Sequence, residues 1–83
     1  FAKAQYNLGL LCAQGKGVDK DYEQAFDWFQ KAAKQENAKA QYNLGALYAN
    51  GLGTEKNMQK AKYWIRKAAD NGLNKAKKAL QQL

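Results

Sequence analysis

The sequence predicts an all-α fold, an α-solenoid in which antiparallel helix pairs stack side by side. The first observation is a repeat: residues 2–9 and residues 38–45 both read AKAQYNLG, eight identities at an offset of 36. The second is a helical spacing of apolar residues within each copy, and the third is a pair of glycines after the first helix of each copy. Repetition at a period of this length is typical of stacked helical repeats.

The first helix of each unit, helix A, is predicted over residues 1–13 and again over residues 37–49. Its inner face follows the spacing i, i+4, i+7 of an amphipathic helix. The residues of that face are Ala4, Leu8 and Leu11, then Ala40, Leu44 and Leu47. Gly9 and Gly45 stand in the middle of these helices, where glycine costs about 0.5–1 kcal/mol relative to alanine. We therefore expect another helix to pack closely against each of them.

The second helix, helix B, is predicted over residues 21–34 and residues 57–70. Asp21 and Asn57 precede the apolar periodicity and are expected to act as N-caps. The inner face follows the spacing i, i+3, i+4, i+7. It consists of Ala25, Trp28, Phe29 and Ala32, then Ala61, Trp64, Ile65 and Ala68.

Glycines predict the turns. The pairs that end each helix A are Gly15 with Gly17 and Gly51 with Gly53. The first glycine of each pair is placed for a C-cap with positive φ, and the second for a chain reversal. Gly72 follows the second helix B, but Glu36 holds that place in the first copy. We expect the Glu36 turn to use another conformation or to be strained.

The remaining segment predicts a third helix A, over residues 74–82, which lacks the Tyr and Gly of the other copies. Terminal repeats are expected to be atypical and polar on the outside. The predicted organisation is therefore one repeat at residues 1–36, a second at residues 37–72, and a C-terminal capping helix within residues 73–83.

These motifs resemble the Sel1-like repeat family, a relative of the tetratricopeptide repeat. Both copies follow its pattern, Ala-x-x-x-Leu-Gly-x-x-Tyr, Gly-x-Gly, an acidic or amide cap, and Ala-x-x-Trp/Tyr-aromatic-x-Lys-Ala-Ala. The Trp/Tyr-aromatic positions hold Trp28-Phe29 in the first copy and Trp64-Ile65 in the second. The departures are Cys12 for the tyrosine, Glu36 for the linker glycine, and Thr54 for the valine that Val18 supplies. The resemblance implies a right-handed α-solenoid that acts as a non-catalytic scaffold for protein–protein contact. Many relatives are bacterial envelope or secreted proteins, so the resemblance favours the periplasm or the exterior.

The residue types predict no catalytic, metal or cofactor site. The chain has no histidine and no serine, and Cys12 is its one cysteine, which we expect to be a small core residue. Asp19, Glu23 and Asp27 fall at i, i+4 and i+8. Acids are favoured in the first turn of a helix by its dipole, which accounts for this spacing without a ligand.

The predicted partner-binding surface is a stripe on the A helices, about 60° wide and away from the predicted core face. Its residues are Lys3, Asn7, Leu10 and Gln14, then Lys39, Asn43, Ala46 and Asn50, then Lys75, Ala79 and Gln82, with Lys78 beside them. In tetratricopeptide-like superhelices the A helices line the concave face. There the amides would bond a peptide backbone, and the ammonium groups would pair with its carboxylates. We expect Lys3, Asn7, Gln14, Lys39, Asn43, Asn50, Lys75 and Lys78 to bind a peptide or protein, acidic in character.

Three alternatives stay open from the sequence. The stripe could be an ordinary solvated surface. The net charge of +7 resides in residues 37–83 and could indicate nucleic-acid binding, although Tyr48, Tyr63 and Trp64 are expected in the core rather than on a binding face. The third alternative is self-association through an open repeat edge. Two repeats and a cap are few for a stable solenoid, so we expect a longer parent chain or an oligomer. No apolar run approaches the roughly 18 residues of a membrane span.

Overall fold

A computed structural model describes residues 1–15 and 21–82, and these residues form five α-helices. The helices are α1 (Ala2–Gln14), α2 (Tyr22–Lys34), α3 (Ala38–Asn50), α4 (Met58–Asp70) and α5 (Asn74–Gln81). Each helix packs on the next in chain order. The predicted all-α fold of stacked helix pairs is confirmed, and every predicted helix boundary lies within one residue of the observed one.

Side-chain caps begin three of the helices. Asp21 accepts a hydrogen bond of 3.1 Å from the backbone N–H three residues later, and Asn57 accepts one of 3.0 Å, as predicted. Asn37 caps α3 in the same way at 2.8 Å, which the sequence analysis did not identify. These bonds satisfy backbone donors that the first turn of a helix leaves unpaired, and they set where each helix starts.

The helix ends follow the glycine predictions. Gly15 and Gly51 adopt φ values of 72° and 66° as C-caps of α1 and α3. Glu36 adopts φ 66° in the turn where the second repeat has Gly72, so the expected backbone strain is present. The predicted chain reversal at Gly17 and the acid Asp19 lie outside the described residues.

The mid-helix glycines permit close helix contact, as predicted. A Cβ on Gly9 would lie 2.6 Å from Cε1 of Phe29 on α2, and one on Gly45 would lie 2.6 Å from Cγ1 of Ile65 on α4. Real Cβ atoms do not approach other atoms this closely. The large B-helix side chains therefore fill the space that the A-helix glycines leave open.

The core lies between the helices of each pair and between α2 and α3. Its buried residues include Cys12, which confirms the core prediction for that thiol. The buried apolar set is Cys12, Ala25, Phe29, Ala32, Ala33, Ala40, Leu44, Leu47, Tyr48, Ala61, Ile65, Ala68, Ala69 and Ala76. Trp28 and Trp64, predicted on the inner face of helix B, are half-buried at the edge of this core.

The predicted inner face of α1 is wrong for the first repeat. Leu8 and Leu11 are 41% and 42% exposed, and Ala4 is also exposed, whereas Leu44 and Leu47 on α3 are 0% and 5% exposed. The reason is that α2 covers this side of α3, while no described helix covers the corresponding side of α1. The repeated sequence is the same, but its surroundings differ.

Tyr63 is also not a core residue: it is 56% exposed. It occupies on α4 the place that exposed Asp27 holds on α2, so the position faces outward in both repeats. Its ring meets the edge of the neighbouring Trp64 ring at 5.1 Å between centroids. Tyr48, by contrast, is buried as predicted.

Candidate functional site

A surface cavity of about 410 Å³ lies where α1, the first turn of α3 and the α4–α5 turn meet. We call it cavity one. Its lining consists of Lys3, Tyr6, Asn7, Asn37, Ala38, Lys39, Asn71, Gly72 and Leu73. The lining carries two ammonium groups, on Lys3 and Lys39, and no carboxylate. Cavity one is therefore positively charged and rich in side-chain amides.

A second cavity, of about 220 Å³, lies further along the same two helices. We call it cavity two. Its lining consists of Leu10, Ala13, Gln14, Phe29, Asn43, Ala46 and Leu47. Most of these side chains are apolar, and the amides of Gln14 and Asn43 supply the polar groups. Together the linings of cavities one and two form what we call the groove.

Five of the eight predicted binding residues line the groove: Lys3, Asn7, Gln14, Lys39 and Asn43. The other three do not. Asn50 donates from Nδ2 to its own helix, at the carbonyl oxygen of Ala46, 3.0 Å away. The Lys75 ammonium lies 5.0 Å from the centroid of the Tyr42 ring, and Lys78 is exposed on α5.

Five polar side chains of the groove are available to a ligand. No other described residue forms a side-chain hydrogen bond with Asn7, Gln14 or Asn43, and no described carboxylate pairs with Lys3 or Lys39. Other amides are engaged within the fold: Gln35 bonds Gln5, and Asn71 of cavity one bonds Gln41. A ligand in the groove would therefore meet three amides and two ammonium groups that the described part of the fold leaves free.

Two aromatic rings lie near each other where the two cavities meet, and neither is among the predicted binding residues. Tyr6 lines cavity one and Phe29 lines cavity two, and their ring centroids are 5.9 Å apart. Phe29 is predicted only as a core residue of helix B, and Tyr6 is predicted on no face, although it repeats as Tyr42. A repeated aromatic that falls outside the predicted i, i+4, i+7 face was the signal that could have found Tyr6.

Two further findings bear on function. In residues 1–15 and 21–82, no three His, Cys, Asp or Glu side chains are grouped closely enough to hold a metal ion. Over the same residues, every helix is too short or too polar to cross a membrane.

Sequential helix pairs carrying a polar surface groove define a helical-repeat protein, a class that typically serves as a scaffold for protein interaction. Comparison with known families matches the Sel1 repeat at residues 2–37 and again at residues 38–73. The chain belongs to the Sel1 repeat family, whose domains are generally non-catalytic.

Solved structures with the same fold come from several bacteria. A Sel1 repeat protein from Oxalobacter formigenes is 43% identical, with a TM-score of 0.97 over 100% of this chain and 62% of that chain. The protein c5321, a protective antigen of uropathogenic Escherichia coli, is 39% identical, with a TM-score of 0.89 over 90% of this chain and 16% of that one. Cysteine rich protein B of Helicobacter pylori is 28% identical, with a TM-score of 0.90 over 95% and 59%. This chain spans less than two thirds of each of them.

A curated relative matches over one repeat length. The chitin synthase regulator SKT5 of Saccharomyces cerevisiae is 46% identical over 35 residues, which are 42% of this chain and 5% of that protein. The likeness is confined to the repeat itself.

Proposed function

We propose that this chain is a non-catalytic interaction module that holds an extended segment of a protein partner in the groove between α1 and α3. The observation that supports the proposal is that five polar residues chosen for their repeated spacing line two adjoining cavities. These five side chains also make no side-chain hydrogen bond or ion pair within the described part of the fold.

The chemistry of the groove suits a peptide. Asn7, Gln14 and Asn43 can each donate and accept hydrogen bonds, which is what the N–H and C=O groups of an extended backbone require. Lys3 and Lys39 can attract acidic side chains at the end of the groove where cavity one lies. The apolar part of cavity two can bury a side chain and so supply most of the affinity.

A peptide-display selection on the full chain tests this proposal. Selected peptides should bind the double variant Lys39→Ala with Asn43→Ala at least about tenfold more weakly, because both changed side chains line the groove. The matched control is Gln59→Ala with Lys62→Ala, which removes one amide and one ammonium from exposed positions of α4. Equal affinity for the wild type and the groove variant would refute the proposal.

A second candidate function is self-association through the uncovered face of α1. Leu8 and Leu11 are exposed there, while the same residues on α3 are buried under α2. A face that accepts a helix in one repeat has the shape to accept a helix in the other, and we propose that α1 of a second copy occupies it. Sedimentation of the wild type should then show a dimer that Leu8→Glu with Leu11→Glu abolishes. The control Tyr63→Glu alters an exposed side chain on α4 and should leave the dimer intact, and a monomeric wild type would refute this candidate.

A further inference from the structure

The two cavities are offset along α1 by a regular step. Lys3, Tyr6 and Asn7 line cavity one, and the residues seven positions later line cavity two. Those later residues are Leu10, Ala13 and Gln14. On α3 the same step joins Lys39 of cavity one to Ala46 of cavity two. Residues seven positions apart line the two cavities on both α1 and α3. The offset between the cavities is therefore a property of the whole groove and does not depend on one side chain.

Seven residues of α-helix correspond to a rise of about 10.5 Å. A ligand that fills both cavities must therefore place two side chains about 10 Å apart on one side of its backbone. A polyproline II segment does so at positions i and i+3, which are about 9.3 Å apart and point the same way. In a β-strand, residues on one face are spaced by two or four positions, about 6.6 or 13 Å, and both distances miss the offset.

An α-helical ligand would also match, with side chains seven positions apart. The free amides of the groove favour the polyproline II segment over the helix. The backbone of a helix is already hydrogen-bonded within itself, so Asn7, Gln14 and Asn43 would find no backbone partners on it. Polyproline II has no internal hydrogen bonds and presents its N–H and C=O groups to such side chains.

The chemistry of each cavity determines which side chain it takes. Cavity one has Lys3 and Lys39 and no carboxylate, so it suits an acidic side chain. Cavity two is an open depression lined by Leu10, Phe29 and Leu47, so it suits an apolar side chain such as leucine.

We infer that the groove recognises a polyproline II segment in which an acidic residue and an apolar residue are three positions apart. This inference rests on the proposed function above and adds the composition, spacing and conformation of the bound segment.

Fluorescein-labelled synthetic peptides with an alanine–proline backbone test the spacing, read out by fluorescence anisotropy on the full chain. The series holds one glutamate and one leucine at spacings of two, three, four and seven, in both orders along the peptide. We expect the spacing of three to bind about tenfold more tightly than two or four. Replacing glutamate by glutamine at spacing three should weaken binding by about fivefold, as two partly exposed ion pairs would.

Two variants test which cavity binds the glutamate and which binds the leucine. Lys3→Glu with Lys39→Glu should reverse the charge preference, so that a lysine–leucine peptide binds better than the glutamate–leucine peptide. Ala46→Phe should fill cavity two, which removes the preference for leucine over alanine but keeps the preference for glutamate over glutamine. Circular dichroism melting of both variants checks that they remain folded.

The outcomes separate this inference from the proposed function. If displayed peptides depend on Lys39 and Asn43 but prefer a spacing of seven, or no spacing, the inference is overturned while the groove remains the binding site. If no selected peptide depends on Lys39 and Asn43, the proposed function itself fails. If none of the synthetic peptides binds, the inference is overturned as well.

Discussion

Asn71 and Gln41 are joined by a hydrogen bond of 2.9 Å, in which Nδ2 of Asn71 donates to Oε1 of Gln41. Gln41 is fully buried, and its Nε2 donates in turn to the carbonyl oxygen of Ala33 at 3.1 Å. One repeat earlier, Gln35 donates to Gln5 at the equivalent positions. Each A helix is thus tied to the end of its own B helix, and Gln41 is tied to the preceding B helix as well.

Replacing Gln41 by alanine should lower the free energy of unfolding by about 1–3 kcal/mol, because Asn71 loses its partner and a buried polar contact between repeats disappears. The matched change Gln5→Ala should cost less than about 1 kcal/mol, since the Gln5–Gln35 bond is exposed. Urea unfolding followed by circular dichroism gives both values. Equal costs at the two positions would contradict this account.

The same substitution in the two repeats should have different costs. Leu44→Ala should destabilise by about 2–5 kcal/mol, as core truncations do, because Leu44 is fully buried. Leu8→Ala should cost less than about 1 kcal/mol in the monomer, because Leu8 already contacts solvent. A similar loss at both positions would mean that α1 is covered in solution, and sedimentation would identify the copy that covers it.

Gly53→Ala should be among the most damaging changes in the chain. Gly53 has φ 74°, and a Cβ there would overlap the carbonyl group of Tyr22 at the start of α2. Gly72 is the control, because it has φ 94° with nothing within 4 Å of an added Cβ. Gly72→Ala should therefore report the backbone strain alone, about 1–2 kcal/mol, and the excess cost of Gly53→Ala measures the collision. Thermal melting of both variants would show the difference.

Glu36→Gly should stabilise the protein by about 0.5–1 kcal/mol, because a non-glycine residue pays for its φ of 66°. The change removes an ion pair between Glu36 and Lys67, 3.3 Å apart, but that pair is exposed and contributes little. Glu36→Gln removes the charge and keeps the strain, so it serves as the control. Both variants lack the ion pair, so thermal melting that ranks Glu36→Gly below Glu36→Gln would contradict the expected relief of strain.

Salt dependence separates a peptide groove from a nucleic-acid surface. A protein that makes 6–10 phosphate contacts loses about 10³–10⁵ in affinity between about 50 and 200 mM salt. A selected peptide held by hydrogen bonds, an apolar pocket and the two lysines of cavity one should weaken by less than about tenfold. Anisotropy titrations of the peptide and of a labelled DNA duplex, at both salt concentrations, give the comparison. Tight, steeply salt-dependent DNA binding would favour the nucleic-acid alternative.

Much of the fold is local, and for that reason the sequence predicts it well. Caps such as Asp21, C-terminal glycines such as Gly15 and the helical period each depend on a few neighbouring residues, so the helix boundaries are accurate to one residue. The burial of a side chain depends instead on which helices pack against its own helix. Leu8 has the same sequence context as Leu44, but only Leu44 has a helix packed over it.

The residues of the candidate site likewise include some that the sequence could predict and some that it could not. Lys3, Asn7 and Lys39 could be chosen from one helix face, because the face is repeated. Asn71 could not be predicted from the sequence, because it lies in a turn about 70 residues along the chain. It reaches cavity one only because the helices stack. Tyr6 could have been found, because it is an aromatic residue that recurs as Tyr42 outside the predicted inner face of helix A.

The bond from Gln41 to Ala33 has a consequence for how such chains can be cut and rejoined. The first repeat ends at residue 37, yet Nε2 of Gln41 in the second repeat donates to the carbonyl oxygen of Ala33 in the first. A second repeat expressed alone would expose Gln41 together with Leu44, and would lose both its anchor and its apolar cover. A cut between α2 and α3 should therefore destabilise the second copy, because α2 supplies the acceptor for Gln41 and the cover for Leu44.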